Sequence, residues 1–153
     1  MRAAGIAYVA YFVLAIMGAA TASAPLSVLG TAVYFVLAIF LYRSFWRADR
    51  GIALALLPLA AIGCVIQAVG IIEADREVQR LALLFFGLFL VVLGYLVARS
   101  MSAPRRLGYA LALAGLGWCA LMIPGLPGAA VVGVMIFGAV AEIVFAAWLL
   151  VAS

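Results

Sequence analysis

Six apolar runs, each near the thickness of a bilayer and joined by loops of eight residues or fewer, constrain this chain more than any other feature. They are Ala3–Ala19, Leu26–Tyr42, Gly51–Ile72, Leu81–Ala98, Leu107–Met122 and Ala129–Val151. A helix needs roughly 17–25 apolar residues to cross a hydrocarbon core of about 30 Å. In that core every backbone polar group must be satisfied within the segment, so runs of this length are read as helices. Composition agrees. The chain is 71% hydrophobic and 9% charged, against roughly 45–50% and about 25% in soluble domains. The expected fold is all-α: one integral membrane bundle of six transmembrane helices spanning residues 1–153.

Punctuation between the runs fits that division. Arg2, the first run and Ala22-Ser23-Ala24 fit a cleavable signal peptide. However, the run has 17 residues, longer than the ~7–15 of a signal core, and Pro25 directly follows the best cleavage position. Segment one is therefore expected to be retained. Ser23 can cap segment two, with Pro25 in its first turn. Pro58 is expected to kink segment three, because its ring removes one backbone bond and crowds the preceding turn. Glu73 to Arg80 reads as a polar loop, and Ile123 to Gly128 (IPGLPG) as a tight uncharged turn. Leu41-Tyr-Arg-Ser44 and Leu96-Val-Ala-Arg-Ser100 form a faint repeat, which two basic hairpins of like composition would also produce.

Charge sets the expected orientation. The nine basic residues are all Arg. The N-terminus and the loops 43–50 and 99–106 hold seven of them against Asp49, a net +6. The other three loops hold Arg76 and Arg80 against Glu73, Asp75 and Glu77, a net −1. The positive-inside rule then puts both termini in the cytoplasm. Tyr42, Trp46, Tyr95, Tyr109 and Trp148 fall near that boundary, as interfacial aromatics do. Such charge reports orientation before any nucleic-acid partner, and no soluble domain is present to carry a nucleic-acid fold.

One ionisable side chain cannot be moved to a membrane surface: Glu142, near the centre of the sixth segment. Ionising a carboxyl at that depth costs ~2.5–3.5 kcal/mol even on the lenient insertion scale. The neutral, hydrogen-bonding acid is the expected resting form. Counting from segment centres at 1.5 Å per residue, Tyr8, Tyr11 and Tyr34 lie level with Glu142 and are its candidate partners. Gln67, the other strongly polar side chain within a segment, lies ~11 Å away in depth. It is expected to bond backbone on a neighbouring helix, such as a carbonyl freed by Pro58. Glu142 admits two readings: an interhelical hydrogen bond, or a site for a ligand or proton. Small residues mark the expected packing faces: Ala60, Cys64, Ala68, Gly87, Gly94, Ala110, Ala114, Gly117, Gly138 and Ala146.

From Phe85 onward the chain resembles a known family. The residues that carry the likeness are Phe85-Phe-Gly-Leu-Phe-Leu-Val-Val-Leu-Gly-Tyr-Leu-Val-Ala-Arg-Ser100, Pro104-Arg-Arg-Leu-Gly108, Ala114-Gly-Leu-Gly117, Glu142 and Ala147-Trp-Leu-Leu150. Ala4-Gly-Ile-Ala-Tyr8 and Gln67-Ala68 add to it in the first half. The family is the bacterial domain-of-unknown-function family 4386, a group of polytopic membrane proteins. The resemblance implies the membrane topology and singles out Glu142, and it implies no activity. Family members are usually longer, and a histidine common in their fourth helix is replaced here by Phe89.

Absences narrow the function. The chain has no histidine, which removes histidine-ligated haem, His-based zinc or iron sites and His general bases. Cys64 and Cys119 lie within apolar runs and form no CxxC, so they are expected to be small buried hydrophobes. Glu73, Asp75 and Glu77 could bind a divalent cation, but a solvated loop with ion pairs accounts for them. No nucleophile–base pair, phosphate-cradling glycine loop or metal spacing appears, so no cofactor is expected and an enzyme is the least supported class. Two readings remain. One is a non-catalytic membrane module, a partner subunit or binder of an apolar ligand, with membrane lipid, another protein or a second copy as partner. The other is a small proton-coupled carrier using Glu142.

The orientation is testable in a background with Cys64 and Cys119 replaced. A cysteine placed in the loop 99–106 is expected to react with membrane-impermeant maleimide only from the cytoplasmic side. Labelling from the opposite side reverses the topology.

Overall fold

The computed structural model describes residues 1–152. Its helices are α1 (Arg2–Ala20), α2 (Ala24–Phe45), α3 (Arg50–Leu54), α4 (Leu56–Ile72), α5 (Arg76–Arg99), α6 (Arg105–Ala120) and α7 (Gly128–Val151). The described residues contain no strand. The short α3 continues into α4, so the chain makes six helical columns, five of them long and apolar enough to cross a membrane. The remaining column, α6, has 16 residues and measures about 24 Å at 1.5 Å per residue. Large apolar side chains face outward along the columns, including Ile16 at 66%, Val65 at 63% and Ile136 at 60% exposure. A soluble surface does not carry apolar area on that scale. The chain is an integral membrane protein.

The columns form a closed ring. α1 packs on α2, α2 on α4, α4 on α5, α5 on α6, α6 on α7, and α7 returns to α1. Tyr8, Leu37, Leu41, Phe45, Phe89, Leu93, Phe145 and Leu149 fill the interior, all nearly or fully buried. Both chain ends lie at one end of the ring. Near the N-terminus, Gly5 abuts the backbone of Leu150, and Phe45 stacks on Trp148. The loops after α2 and α5 border a common groove through Arg47 and Arg99, so they share that end. At the opposite end Arg80 of α5 donates to the Leu121 carbonyl after α6, at 3.2 Å. These ends are called the basic end and the turn end below.

Two hairpins at the turn end share one construction, at a constant offset of 52 residues. Ala22 and Ala74 both take positive φ, 49° and 54°. The next residue's N–H reaches back to close each helix: Ser23 to the Gly18 carbonyl at 3.0 Å and Asp75 to the Gly70 carbonyl at 2.9 Å. That pair of features is the helix-ending motif usually built on glycine. Ser23 and Asp75 then cap the following helix, Ser23 accepting from the Leu26 N–H at 3.5 Å and Asp75 from the Glu77 N–H at 2.8 Å. The offset persists down the helices, where Leu37 and Phe89, Leu41 and Leu93, and Phe45 and Val97 are buried in pairs. The recurring unit is thus an α-hairpin.

Several boundaries differ from the sequence reading. Residues 76–80 are helical rather than loop, because Asp75 caps α5 one turn earlier than the apolar run begins. The break in the third column falls at Ala55 and not at Pro58. Pro58 stands in the first turn of α4, where its missing N–H and its ring exclude a regular bond to Leu54 and divide α3 from α4. α6 ends at Ala120 rather than Met122. Its last turn tightens, Met122 and Ile123 bonding the carbonyls three residues back, before Pro124.

The closest helix pair is α5–α6. A Cβ at Gly94 would stand 2.5 Å from the Gly108 carbonyl oxygen, and one at Gly115 would stand 2.5 Å from the Gly87 carbonyl oxygen. Gly87 and Gly94 are on the face expected, whereas on α6 the contact uses Gly108 and Gly115 rather than Ala110. Gly117 faces Val134 of α7 instead. Gly108→Ala is expected to destabilise the protein by about 1–3 kcal/mol, the usual cost of overpacking. Gly133 of α7, with nothing within 4 Å of its would-be Cβ, should gain about 0.5–1 kcal/mol from the same change, through helix propensity. Thermal melts of the two variants in detergent, moving in opposite directions from wild type, check this.

Candidate functional site

α7 carries Glu142 into the ring, where the residue is 8% exposed. The sequence of α7 allows this because small residues flank the acid one turn to either side. Gly138 leaves room for the Trp118 indole of α6, whose Nε1 would be 2.7 Å from a Cβ there. Ala146 is buried at 4% exposure. From the facing helix α1, the Tyr8 hydroxyl donates to Glu142 Oε2 at 2.8 Å. Tyr8 is itself held from two sides. Phe12, one turn on, stacks at 5.4 Å between centroids, and Phe145 of α7 meets the ring edge-on at 6.0 Å. The hydroxyl therefore points to the acid without a free rotor to order. Among the described residues no cation pairs with the carboxyl, and the sole ion pair, Arg80–Glu77, lies on the exposed turn end.

Tyr11 and Tyr34 lie level with the acid, as the depth count expected, but neither hydroxyl bonds it. Their rings meet edge to face at 4.9 Å, and Tyr34 also contacts Phe86 at 4.8 Å and Phe89 at 5.3 Å. Phe89 thus packs into an aromatic wall. Tyr11 and Tyr34 join Leu83, Phe86, Leu90 and Trp118 around a cavity of about 70 Å³ on which Glu142 opens. At ~30 Å³ per water, that volume suits about two water molecules.

Gln67 is not beside Glu142, and its expected backbone partner is absent. Its Oε1 is buried with no hydrogen-bond partner. The carbonyl freed by Pro58 is that of Leu54, 13 residues before Gln67 along the chain and about 20 Å of helix away, beyond the reach of the amide. Gln67 instead lines a second cavity of about 260 Å³ toward the turn end, with Ser27, Thr31 and Gln79. Tyr11 and Phe86 border both cavities and form the partition between them. Cys64 is buried, and its thiol donates to the Thr31 carbonyl at 3.3 Å. Asp75 is occupied as a helix cap, and no group of three or more metal-ligating side chains occurs among the described residues.

Sequence reasoning missed Trp118, Phe86 and Gln79. The signal for Trp118 was its indole N–H, a donor that seeks a partner when placed inside an apolar segment. Gln79 was hidden by its charged neighbours, which made 73–80 read as loop. One helical turn after the capping Asp75, it faces inward and donates to the Gly70 carbonyl at 3.0 Å.

This chain belongs to DUF4386, a domain-of-unknown-function family, whose model matches residues 72–152, just over half of its length. The matched part contains α5, α6 and α7, and with them Phe86, Trp118 and Glu142. The tyrosines that face the acid lie in the unmatched half. No curated protein and no solved structure matches the chain.

The pair Tyr8–Glu142 is open to a double-mutant cycle in detergent. Tyr8→Phe, Glu142→Leu and the double variant should give a coupling energy of about 0.6–1.7 kcal/mol, the range of hydrogen bonds within membranes. Tyr11→Phe, which removes no bond to the acid, is expected to show no coupling with Glu142→Leu.

Proposed function

We propose that this protein is a non-catalytic module of a bacterial inner membrane, with both termini in the cytoplasm, that binds lipid or another apolar molecule or pairs with a partner subunit. In this reading Glu142 is carried as a neutral, protonatable acid that ties α7 to α1. The observation that carries it is the distribution of space. Around Glu142 there is room for about two waters, the basic-end half of the ring interior is filled by aromatic and leucine side chains, and the Gln67 cavity of about 260 Å³ lies toward the turn end. Larger volumes lie on the outside of the ring. One, of about 330 Å³, runs between α2 and α4 along Val28, Phe35, Ala61, Cys64, Val65 and Ala68 and presents only apolar surface. Bare apolar grooves between transmembrane helices suit acyl chains or an apolar helix face.

A second reading, a proton-coupled carrier using Glu142, is favoured by the two cavities that share Tyr11 and Phe86. Proteoliposomes with an entrapped pH-sensitive dye separate the two. The module reading expects no proton flux above protein-free vesicles, and near-wild-type stability for Glu142→Gln. A flux that appears with the wild type and vanishes with Glu142→Gln establishes the carrier instead.

A further inference from the structure

A groove lies on the outer face of α5 and α6, at the basic end. It encloses about 690 Å³. The close approach of these two helices creates it. Where Gly94 meets Gly108 no side chain rises between the helices, so Val91, Gly94, Ala98 and Ala112 form a shallow apolar floor. At the mouth stand Tyr95 and Arg99 from the end of α5 and Arg105 and Tyr109 from the start of α6. The Arg99 guanidinium is already positioned: its Nη1 donates to the Tyr95 hydroxyl at 2.7 Å, and its Cζ lies 5.6 Å from the centre of that ring. Neither guanidinium pairs with a carboxylate among the described residues. Tyr109 is 60% exposed beside them.

We infer that this groove binds one anionic phospholipid. The inference deepens the lipid-binding reading above and rests on it. Charge and shape agree on the occupant. Two unpaired guanidiniums at the helix ends, where the headgroup layer lies, match a phosphodiester whose negative charge no headgroup cation offsets, and the planar fork of Arg suits phosphate oxygens. The Tyr95 and Tyr109 rings sit at the depth that interfacial aromatics prefer. Below them the shallow floor of Val91, Gly94, Ala98 and Ala112 continues into the apolar zone, where an acyl chain can lie along it. The α2–α4 groove has the second property without the first. It presents no polar group, and so it selects no headgroup.

Native mass spectrometry of the full chain, released from micelles doped with phosphatidylglycerol or phosphatidylcholine, tests this. Wild type is expected to retain one phosphatidylglycerol at a concentration roughly tenfold or more below that needed for phosphatidylcholine, the scale of two basic side chains acting on an anionic headgroup. Arg99→Gln with Arg105→Gln should reduce that preference to about twofold or less, within the spread of a single weak surface charge. Arg43→Gln with Arg50→Gln removes the same charge from the same end, outside the groove, and should leave the preference intact. All four arginines are exposed, and circular dichroism confirms that both double variants fold. Equal retention of the two lipids by wild type, or equal loss of preference in both double variants, overturns the assigned site and leaves the lipid-binding reading standing. Retention of neither lipid by wild type overturns both.

Discussion

A carboxyl placed in hydrocarbon must find a hydrogen-bond partner, and here the partner of Glu142 sits on the first helix while the acid sits on the last. The Tyr8–Glu142 bond therefore lies at the seam where the ring of helices closes. Its strength alone does not explain its importance, since bonds of this kind average ~0.6 kcal/mol in membranes. The asymmetry does. If α1 slid by one turn along α7, the hydroxyl would move about 5.4 Å and leave the acid unpartnered among phenylalanines. The bond thus selects one axial register out of several that the apolar surfaces of α1 and α7 would tolerate. Phe12 and Phe145 reinforce the selection by clamping the Tyr8 ring on two sides.

The rest of the ring coheres by a different means. Helices in lipid gain little by hiding apolar surface from one another, so they adhere where backbones approach closely. The α5–α6 pair does this with four glycines in register, and its carbonyls and N–H groups stand where Cβ atoms would be. That hairpin lies within the region the family model matches, as does Glu142. The two turn-end hairpins pay for compactness with an alanine in a left-handed conformation at Ala22 and Ala74. This is an unfavourable choice for a residue with a Cβ. Each is held there by the capping residue that follows, which ends one helix and starts the next.

Hydrophobic length alone made the columns and their order legible, since a segment that must satisfy its own backbone has few alternatives. The grouping of loops at the two ends was legible from charge, and the ring preserves it. Helix ends were less so, because caps act through geometry. Asp75 extends α5 into residues that read as loop, and Pro58 breaks the column one turn before its own position. In the site, Glu142 was marked by depth and Tyr8 was one of three tyrosines level with it. Depth could not choose among them, because rotation about the helix axis decides which hydroxyl faces the acid. Gln67 shows the same limit. Its distance in depth from Glu142 was readable, but the cavity it lines forms only when α2, α4 and α5 are assembled.

The two cavities in series also bear on what Glu142 can do. From the turn end the acid is separated from the Gln67 cavity by Tyr11 and Phe86, side chains that a rotamer change could part. Toward the basic end it faces Phe45, Phe145 and Leu149, each at most 1% exposed, with Trp148 stacked against them. An aromatic plug of that kind opens only if whole helices separate. The ring is closed on every side by neighbouring contacts, and its one marked break, at Ala55, lies near the basic end away from the acid. A carrier must expose its coupling group to each side in turn. In this structure the space beside the acid lies toward Tyr11 and Phe86, and the basic-end side is filled by Phe45, Phe145 and Leu149.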